Sequence, residues 1–215
     1  MQPLYEEYRP KTWDEVVGQP DVLKRISTMR KRGLSGRAYW LTGSSGTGKT
    51  TIARLIAEEI ADDINIEEHD AGRLTDKRVE DIERSLQCYR IGVKHGAAII
   101  INESHGLKAP VVRQLLVTLE RIPHHCVWIF TTTFKGQLSL FDKQDDADPL
   151  LSRCIRLDMN AKDLDLAFAI RAREIAQAES LDGQPIDAYI GLARACHCNM
   201  REMLCRIETG QLLTT

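Results

Sequence analysis

A glycine-rich segment between an apolar run and a helical pattern constrains the fold of this chain more than any other feature. Residues 43–50 have the sequence GSSGTGKT, a full match to G-x-x-x-x-G-K-[ST], between apolar residues 38–41 and a helical pattern over 51–60. Glycines in such a loop let consecutive backbone N–H groups face a phosphate chain, and the following helix adds its positive end. A turn that only joined a strand to a helix would not need Lys49 and Thr50, which suit phosphate and Mg²⁺. The segment therefore predicts a nucleotide-binding P-loop with these contacts: Ser45, Gly46, Thr47, Gly48, Lys49, Thr50 and Thr51.

Two apolar runs that end in polar residues predict buried parallel strands. Residues 96–101 and 126–130 are rich in β-branched and aromatic side chains, which is typical of strands covered on both faces. The first run leads into Asn102 and Glu103, and the second leads into three threonines at 131–133. Since ligands of open parallel sheets bind beyond the carboxyl ends of the strands, these polar residues are candidates for chemistry.

The chain changes character near Met159. Strand and helix patterns alternate before it, and from residue 161 onward the pattern is helical only. We therefore predict an α/β P-loop domain with a doubly wound parallel sheet over residues 1–159. Residues 160–215 are predicted to form a small all-helical lid domain, joined without a Gly/Ser-rich linker.

Local signals add four predictions. Residues 1–20 should form an extended arm followed by a turn, because Pro10 and Pro20 disfavour a helix just before them. Asp21 should cap a helix, and Thr75 should cap another. Residues 64–66 are predicted to form a short strand.

Composition excludes several classes of protein. With 215 residues, 43% of them hydrophobic, the chain can bury a full core, and its longest apolar run, residues 97–101, is far too short to span a membrane. The acidic start predicts no signal peptide, so we expect a cytoplasmic protein. Six scattered cysteines favour free thiols, and a net charge of −2 argues against indiscriminate nucleic-acid binding. The basic stretch over residues 24–37 is more typical of a solvated helix face.

Several motifs along the chain together resemble the AAA+ ATPases of DNA polymerase clamp loaders, such as the bacterial gamma/tau subunit and the small subunits of replication factor C. The motifs that carry the resemblance are Tyr8-Arg9-Pro10, Val16-Val17-Gly18-Gln19, the P-loop, Glu103-Ser104-His105, the threonines at 131–133, Ser152-Arg153-Cys154 and Asn199-Met200-Arg201. The P-loop alone would indicate only an NTPase, and the Ser-Arg-Cys motif makes the resemblance specific.

This resemblance implies a set of roles in ATP hydrolysis. Glu103 would orient and deprotonate the attacking water, and Thr133, or failing that Thr132, would be the sensor 1 hydroxyl. Arg201 would be sensor 2, and Arg153 would be the arginine finger that acts on the ATP of a neighbouring subunit. Glu103 as a solvated strand-end acid and Arg201 as a surface charge remain the alternatives. The adenine pocket would be lined by Tyr8, Pro10, Val16 and Val17.

The chain departs from the family pattern in ways that concern hydrolysis and assembly. Where the family has Asp-Glu at the end of the strand, this chain has Asn102 followed by Glu103, so Asn102 and Thr50 are the expected Mg²⁺ contacts, Asn102 through water. Such an amide carries no charge, and losing an outer-shell group typically costs about 10- to 100-fold in metal affinity or activity. Because the sequence ends near Thr215, we expect the family's collar domain to be absent, and the loop from 133 to 152 is longer than expected.

Four residues near the end of the chain raise the question of a metal site. Cys196, His197 and Cys198 lie in a C-x-C arrangement, with Cys205 further on. This spacing differs from that of zinc ribbons and fingers, so structural thiols are favoured over metal ligands. The zinc module that the bacterial family carries after the P-loop helix is missing, and no zinc is expected.

The long loop contains a candidate docking motif. Residues 137–141 have the sequence QLSLF, which resembles the motif by which polymerases and other clients bind the bacterial sliding clamp. Gln137 would fix the register while Leu138, Leu140 and Phe141 supply apolar anchors. The alternative is that these apolar residues pack on the core or on a neighbouring subunit.

Three functions stay open from the sequence. The first is a clamp-loader-like ATPase that uses ATP and Mg²⁺, in a ring with other AAA+ subunits or with itself. The second is a subunit that binds ATP as a scaffold or stator without turnover, and the third is a helicase-loader-like protein. DNA would be reached through the assembly, with Thr75, Lys77 and Lys108 as candidate phosphate contacts at helix starts.

Overall fold

The computed structural model describes residues 2–133, 147–160 and 164–213, which form a five-stranded sheet covered by helices and a separate group of helices. The strands are β1 (Arg37–Thr42), β2 (Ile66–Asp70), β3 (Ala97–Asn102), β4 (Cys126–Thr132) and β5 (Cys154–Asp158). The α-helices are α1 (Leu4–Glu7), α2 (Pro20–Arg30), α3 (Lys49–Ile60), α4 (Asp76–Ser85), α5 (Ala109–Leu119), α6 (Ala147–Ser152), α7 (Asp165–Ala178), α8 (Ile186–Ala195) and α9 (Met200–Glu208).

All the strand pairs of this sheet are parallel, in the order β2-β3-β4-β1-β5. The register pairs Thr42 with Thr132 on one side and with Asp158 on the other, while Asn102 pairs with Asp70. The carboxyl ends of the strands therefore meet at one edge of the sheet, which is where such folds place their ligands. The predicted α/β fold class, a doubly wound parallel sheet followed by helices, is confirmed.

Each face of the sheet is buried under its own helices. On one face, alternate strand residues such as Ile100 and Ile129 pack with Ile52 and Ile56 of α3. On the other face, Trp128 and its neighbours pack with α4 and α5. Strands covered on both faces need apolar residues at nearly every position, which explains the runs seen in the sequence.

The helices α7 to α9 share a third core. Phe168, Tyr189 and Met203, one from each helix, are almost fully buried within it. Leu4 of α1 joins this core, so the start of the chain packs against its final helices. The predicted boundary between residues 159 and 160 stays a prediction; β5 ends at Asp158 and α7 begins at Asp165.

Of the local predictions, the helix cap at Thr75 is confirmed, whereas the arm and the cap at Asp21 differ from what the sequence predicts. Thr75 caps α4 as expected, since its Oγ1 accepts a hydrogen bond from the Arg78 backbone N–H at 3.2 Å. The arm is not simply extended: residues 4–7 are helical and 13–15 form a 3-10 turn. Asp21 lies in the first turn of α2 rather than at its cap, because Pro20 occupies the first helical position.

The predicted strand at 64–66 was wrong in its position. Residues 63–65 form a 3-10 turn, Ile64 is 82% exposed, and the strand begins at Ile66. This strand lies at the edge of the sheet, where pairing with β3 rather than apolar composition fixes its extent.

Candidate functional site

The P-loop joins the buried strand β1 to α3 as predicted. Gly48 takes φ +96° at the start of α3, a left-handed backbone conformation that glycine adopts without strain. Lys49 is 8% exposed, and its Nζ donates to the carbonyl oxygens of Gly43 at 2.9 Å and Ser44 at 2.7 Å. Its ammonium group is thus held inside the loop, where a phosphate chain would lie.

The electrostatics of Lys49 connect three parts of the site. Burial lowers the pKa of Lys49; the Glu103 carboxylate acts in the opposite direction, and the Arg201 guanidinium lowers the pKa further. Each group must be close to the ammonium to act on it. The P-loop, the end of β3 and the start of α9 therefore converge on one place.

A cleft of about 360 Å³ lies between the sheet edge, the arm and the helices α7 and α9. The predicted nucleotide contacts all line it: Tyr8, Pro10, Val16, Val17, Ser45, Gly46, Thr47, Gly48, Lys49, Thr50 and Thr51. The candidate groups Asn102, Glu103, Thr133 and Arg201 line it as well. Residues that are far apart in the sequence thus form a concave site with apolar and polar walls, the usual form of a ligand pocket.

Glu103 follows β3 in a strained backbone conformation. Its φ and ψ are +51° and +49°, in the left-handed region, which costs a residue other than glycine about 1–2 kcal/mol. The Gly106 backbone N–H donates to the Glu103 carbonyl oxygen at 2.8 Å and closes the turn. The carboxylate reaches to 3.4 Å from Nδ1 of His105. Strain of this kind is concentrated at functional sites and here turns the acid toward the cleft.

The threonines at the end of β4 and just after it divide between the cleft and the interior. Thr132 is fully buried, and its Oγ1 donates to the Thr133 carbonyl oxygen at 3.3 Å. Thr133 lines the cleft and so suits the sensor 1 role better than Thr132, although that role stays a prediction. Thr131 also lines the cleft, and its Oγ1 donates to Oδ1 of Asn102 at 3.0 Å. The sequence reasoning missed this contact.

The second group of helices reaches the cleft through the start of α9. The Arg201 guanidinium lies over the ring of Tyr5, 5.2 Å from its centroid. Asn199 caps α9, with Oδ1 accepting from the Glu202 backbone N–H at 3.3 Å, and it packs on Gly46 of the P-loop. Tyr5 and Phe168 also line the cleft and were not predicted, because no motif marks them.

Arg153 lies away from the cleft. It directly precedes β5, whereas the P-loop is beside the other end of that strand. Its Nη1 donates to the Pro149 carbonyl oxygen at 2.8 Å, and its Nε donates to the Glu120 carboxylate at 3.2 Å. The predicted finger is therefore not part of the nucleotide cleft of its own chain.

The side-chain oxygen atoms that line the cleft are suitable ligands for Mg²⁺. Thr50, Asn102 and Glu103 offer hydroxyl, amide and carboxylate oxygens, and Mg²⁺ prefers oxygen ligands, with few from the protein beside water and phosphate. Among the described residues, no group of three or more His, Cys, Asp or Glu could hold a metal by itself. Burial raises the pKa of the Cys196 and Cys198 thiols, which disfavours the thiolate form that zinc binds.

The predicted docking residues Gln137, Leu138, Leu140 and Phe141 lie outside the described residues. Within the described part of the chain, no helix is both long and apolar enough to cross a membrane.

The families and proteins to which this chain is similar include ATPases, which agrees with the P-loop cleft described above. The model of the "ATPase family associated with various cellular activities (AAA)" matches residues 39–159, more than half of the chain. The chain is 28% identical to DNA polymerase III subunit tau of Escherichia coli over 94% of its own length and 33% of that protein. It is also 28% identical to the replication factor C small subunit of Methanoculleus marisnigri, over 98% of this chain and 63% of that one.

Among solved structures, the Thermotoga maritima RuvB Holliday junction branch migration motor matches 94% of this chain and 64% of its own, with a TM-score of 0.70 and 24% identity. That likeness concerns the fold. The chain spans about a third of the length of the tau subunits it matches. The predicted resemblance to clamp-loader subunits is confirmed by the relatives, and the chain belongs to the AAA family of ATPases.

Proposed function

We propose that this chain binds ATP with Mg²⁺ in the cleft and hydrolyses it as a subunit of a clamp-loader-like assembly in DNA replication or a related DNA transaction. The observation that carries the proposal is the convergence of the P-loop, Glu103 and Arg201 on one cleft. The relatives support it, because they are named as subunits of DNA polymerase III and of replication factor C.

The side chains of the cleft would have separate roles in phosphoryl transfer. Lys49 and the P-loop N–H groups would hold the phosphates, with Thr50 and Asn102 beside the metal. Bound Mg²⁺ would neutralise phosphate charge as it develops in the transition state. Glu103 would accept a proton from the attacking water, and Arg201 would connect the nucleotide to α9, so that the position of the helices follows the nucleotide state.

Nucleotide binding is the first test of the proposal. Lys49→Ala removes the ammonium that faces the phosphates, so calorimetry should show ATP·Mg²⁺ binding to the wild type and a loss of at least about tenfold in the variant. Lys77→Ala, which removes an exposed lysine of α4, is the matched control and should bind as the wild type does. Equal binding by all three proteins, or none by any, would refute the assignment of the cleft.

A scaffold or stator that holds ATP without turnover is the second candidate. Asn102 favours it, because the amide places no negative charge near the metal. Steady-state ATPase with and without primed DNA and a sliding clamp separates the two, since only the first function predicts stimulated turnover. A helicase-loader-like role shares the same cleft, and turnover that ignores the clamp would favour it.

The partner we propose for residues 137–141 is the bacterial sliding clamp. The motif QLSLF supports this, with two large apolar residues at its end as anchors. Surface plasmon resonance should detect binding to an immobilised clamp, and the double substitution Leu140→Ala and Phe141→Ala should abolish that binding without lowering the melting temperature. If the double variant binds equally well, or unfolds, these residues pack within the protein or its assembly and do not dock the clamp.

A further inference from the structure

Four polar side chains form a row across the carboxyl end of the sheet, on the face covered by α3. Arg54 of α3 contacts Glu68 of β2, with Nη2 2.7 Å from Oε1. The other Glu68 oxygen, Oε2, accepts from Nδ2 of Asn102 at 3.3 Å. Oδ1 of Asn102 in turn accepts from Thr131. The row links the P-loop helix to the wall of the nucleotide cleft through three neighbouring strands.

The chemistry of this row fixes which way the Asn102 amide lies. An ionised carboxylate only accepts hydrogen bonds, so the amide must present its NH₂ group to Glu68. Its oxygen then lies on the opposite side, toward Thr131. Thr131 and Asn102 line the cleft, whereas Glu68, on the neighbouring strand β2, is not one of its lining residues. The amide oxygen is therefore turned to the side from which the metal would be reached.

We propose that Glu68 is a positioning residue for the metal of this site, and that it acts by holding the Asn102 amide oxygen toward the cleft. A water molecule on Mg²⁺ can only donate to the protein, so it needs an oxygen there and is repelled by an NH₂ group. This inference rests on the proposed binding of ATP and Mg²⁺. It explains how a site with an amide in place of a carboxylate can still place its metal.

A carboxylate at position 102 would not need this help. Both of its terminal atoms are acceptor oxygens, so either orientation offers an oxygen to the cleft. The dependence on Glu68 should therefore appear with Asn102 and disappear with Asp at the same position. This contrast separates orientation of the amide from a general effect of negative charge.

The substitution Glu68→Gln should turn the Asn102 amide over. Arg54 has only donors, so it would hold the oxygen of the introduced glutamine amide and leave the NH₂ group of that amide facing Asn102. The Asn102 oxygen would then turn to that NH₂ group, and the NH₂ group of Asn102 would face the cleft. Electron paramagnetic resonance of Mn²⁺, titrated into protein with a non-hydrolysable ATP analogue, should show about tenfold weaker metal binding. Binding of the analogue in EDTA should not change.

The same substitution in the Asn102→Asp background should change Mn²⁺ affinity by less than about twofold, a coupling that a double-mutant cycle measures. Glu67→Gln is the matched control: Glu67 is the adjacent acid of β2, pairs with Arg78 at 2.9 Å, and should leave Mn²⁺ affinity unchanged.

Three results would overturn the inference. Glu68→Gln could leave Mn²⁺ affinity unchanged, as Glu67→Gln is expected to do. It could also weaken Mn²⁺ binding equally with Asn102 and in the Asn102→Asp background, which would indicate an effect of charge alone. It could also lower the melting temperature and the metal-free nucleotide affinity together, which would indicate a structural role. Failure of the proposed function is distinguishable, because the wild type would then bind no nucleotide in either condition, and the inference would fall with it.

Discussion

At Gly46, the P-loop packs so closely against the start of α9 that no side chain would fit between them. A Cβ on Gly46 would lie 1.9 Å from Oδ1 and 2.8 Å from Cα of Asn199. Rotation of the Asn199 side chain would relieve the first contact but not the second, because Cα belongs to the backbone. A side chain at position 46 would therefore have to move the start of α9, which carries Arg201.

Gly46→Ala is predicted to destabilise the protein more than a left-handed backbone alone requires. Gly33 has a similar φ, +84° against +74°, but no atom lies within 4 Å of a Cβ placed there. Gly33→Ala should cost about 1–2 kcal/mol of the free energy of unfolding for the backbone conformation. Gly46→Ala should cost about 1–3 kcal/mol more, from overpacking against Asn199.

Urea denaturation of both variants measures the difference. If the two substitutions cost the same, Asn199 yields freely and α9 is not held by the P-loop. A difference of the expected size would mean that a change in the P-loop is transmitted to α9 through packing.

At the scale of elements, the sequence predicts best those strands whose burial is complete. The strands predicted at 96–101 and 126–130 begin and end within two residues of the ends of β3 and β4, because a strand covered on both faces must be apolar. The edge strand β2 carries Glu67, Glu68 and His69 and has no such pattern. Pairing with β3 forms it, and that pairing cannot be read from its own residues.

The same limit applies to α1 and to the site. A helix of four residues is not stable alone, and α1 exists because Leu4 packs with residues near the other end of the chain. The P-loop and Glu103 were predicted because fixed spacing or a strand end marks them. The contacts of Thr131 and Glu68 with Asn102 were not predicted, since they cross between strands.

At the scale of the whole molecule, Arg153 and the nucleotide cleft lie at opposite ends of β5. Arg153 precedes the strand, whose last residue, Asp158, pairs with Thr42 just before the P-loop. At about 3.3 Å per residue, this separation is roughly 16 Å. Glu120 and the Pro149 carbonyl oxygen hold the guanidinium at the far end. If Arg153 is an arginine finger, it must therefore act on the ATP of another subunit.

This arrangement predicts that two inactive variants should restore each other. Lys49→Ala would lose its own nucleotide but keep an intact Arg153, and Arg153→Ala would keep an intact cleft but lose the finger. Each alone should be almost inactive, because a finger is worth about 10³–10⁵ in turnover. In a 1:1 mixture, about a quarter of head-to-tail interfaces would pair an intact cleft with an intact finger. Steady-state ATPase of the mixture should therefore approach about a quarter of the wild-type rate measured at the same total concentration.

The control is a mixture of Lys49→Ala with a variant that carries both Lys49→Ala and Arg153→Ala. This mixture forms no complete site and should stay inactive. If the first mixture gives only the sum of its parts, or if Arg153→Ala alone turns over like the wild type, Arg153 does not act between subunits.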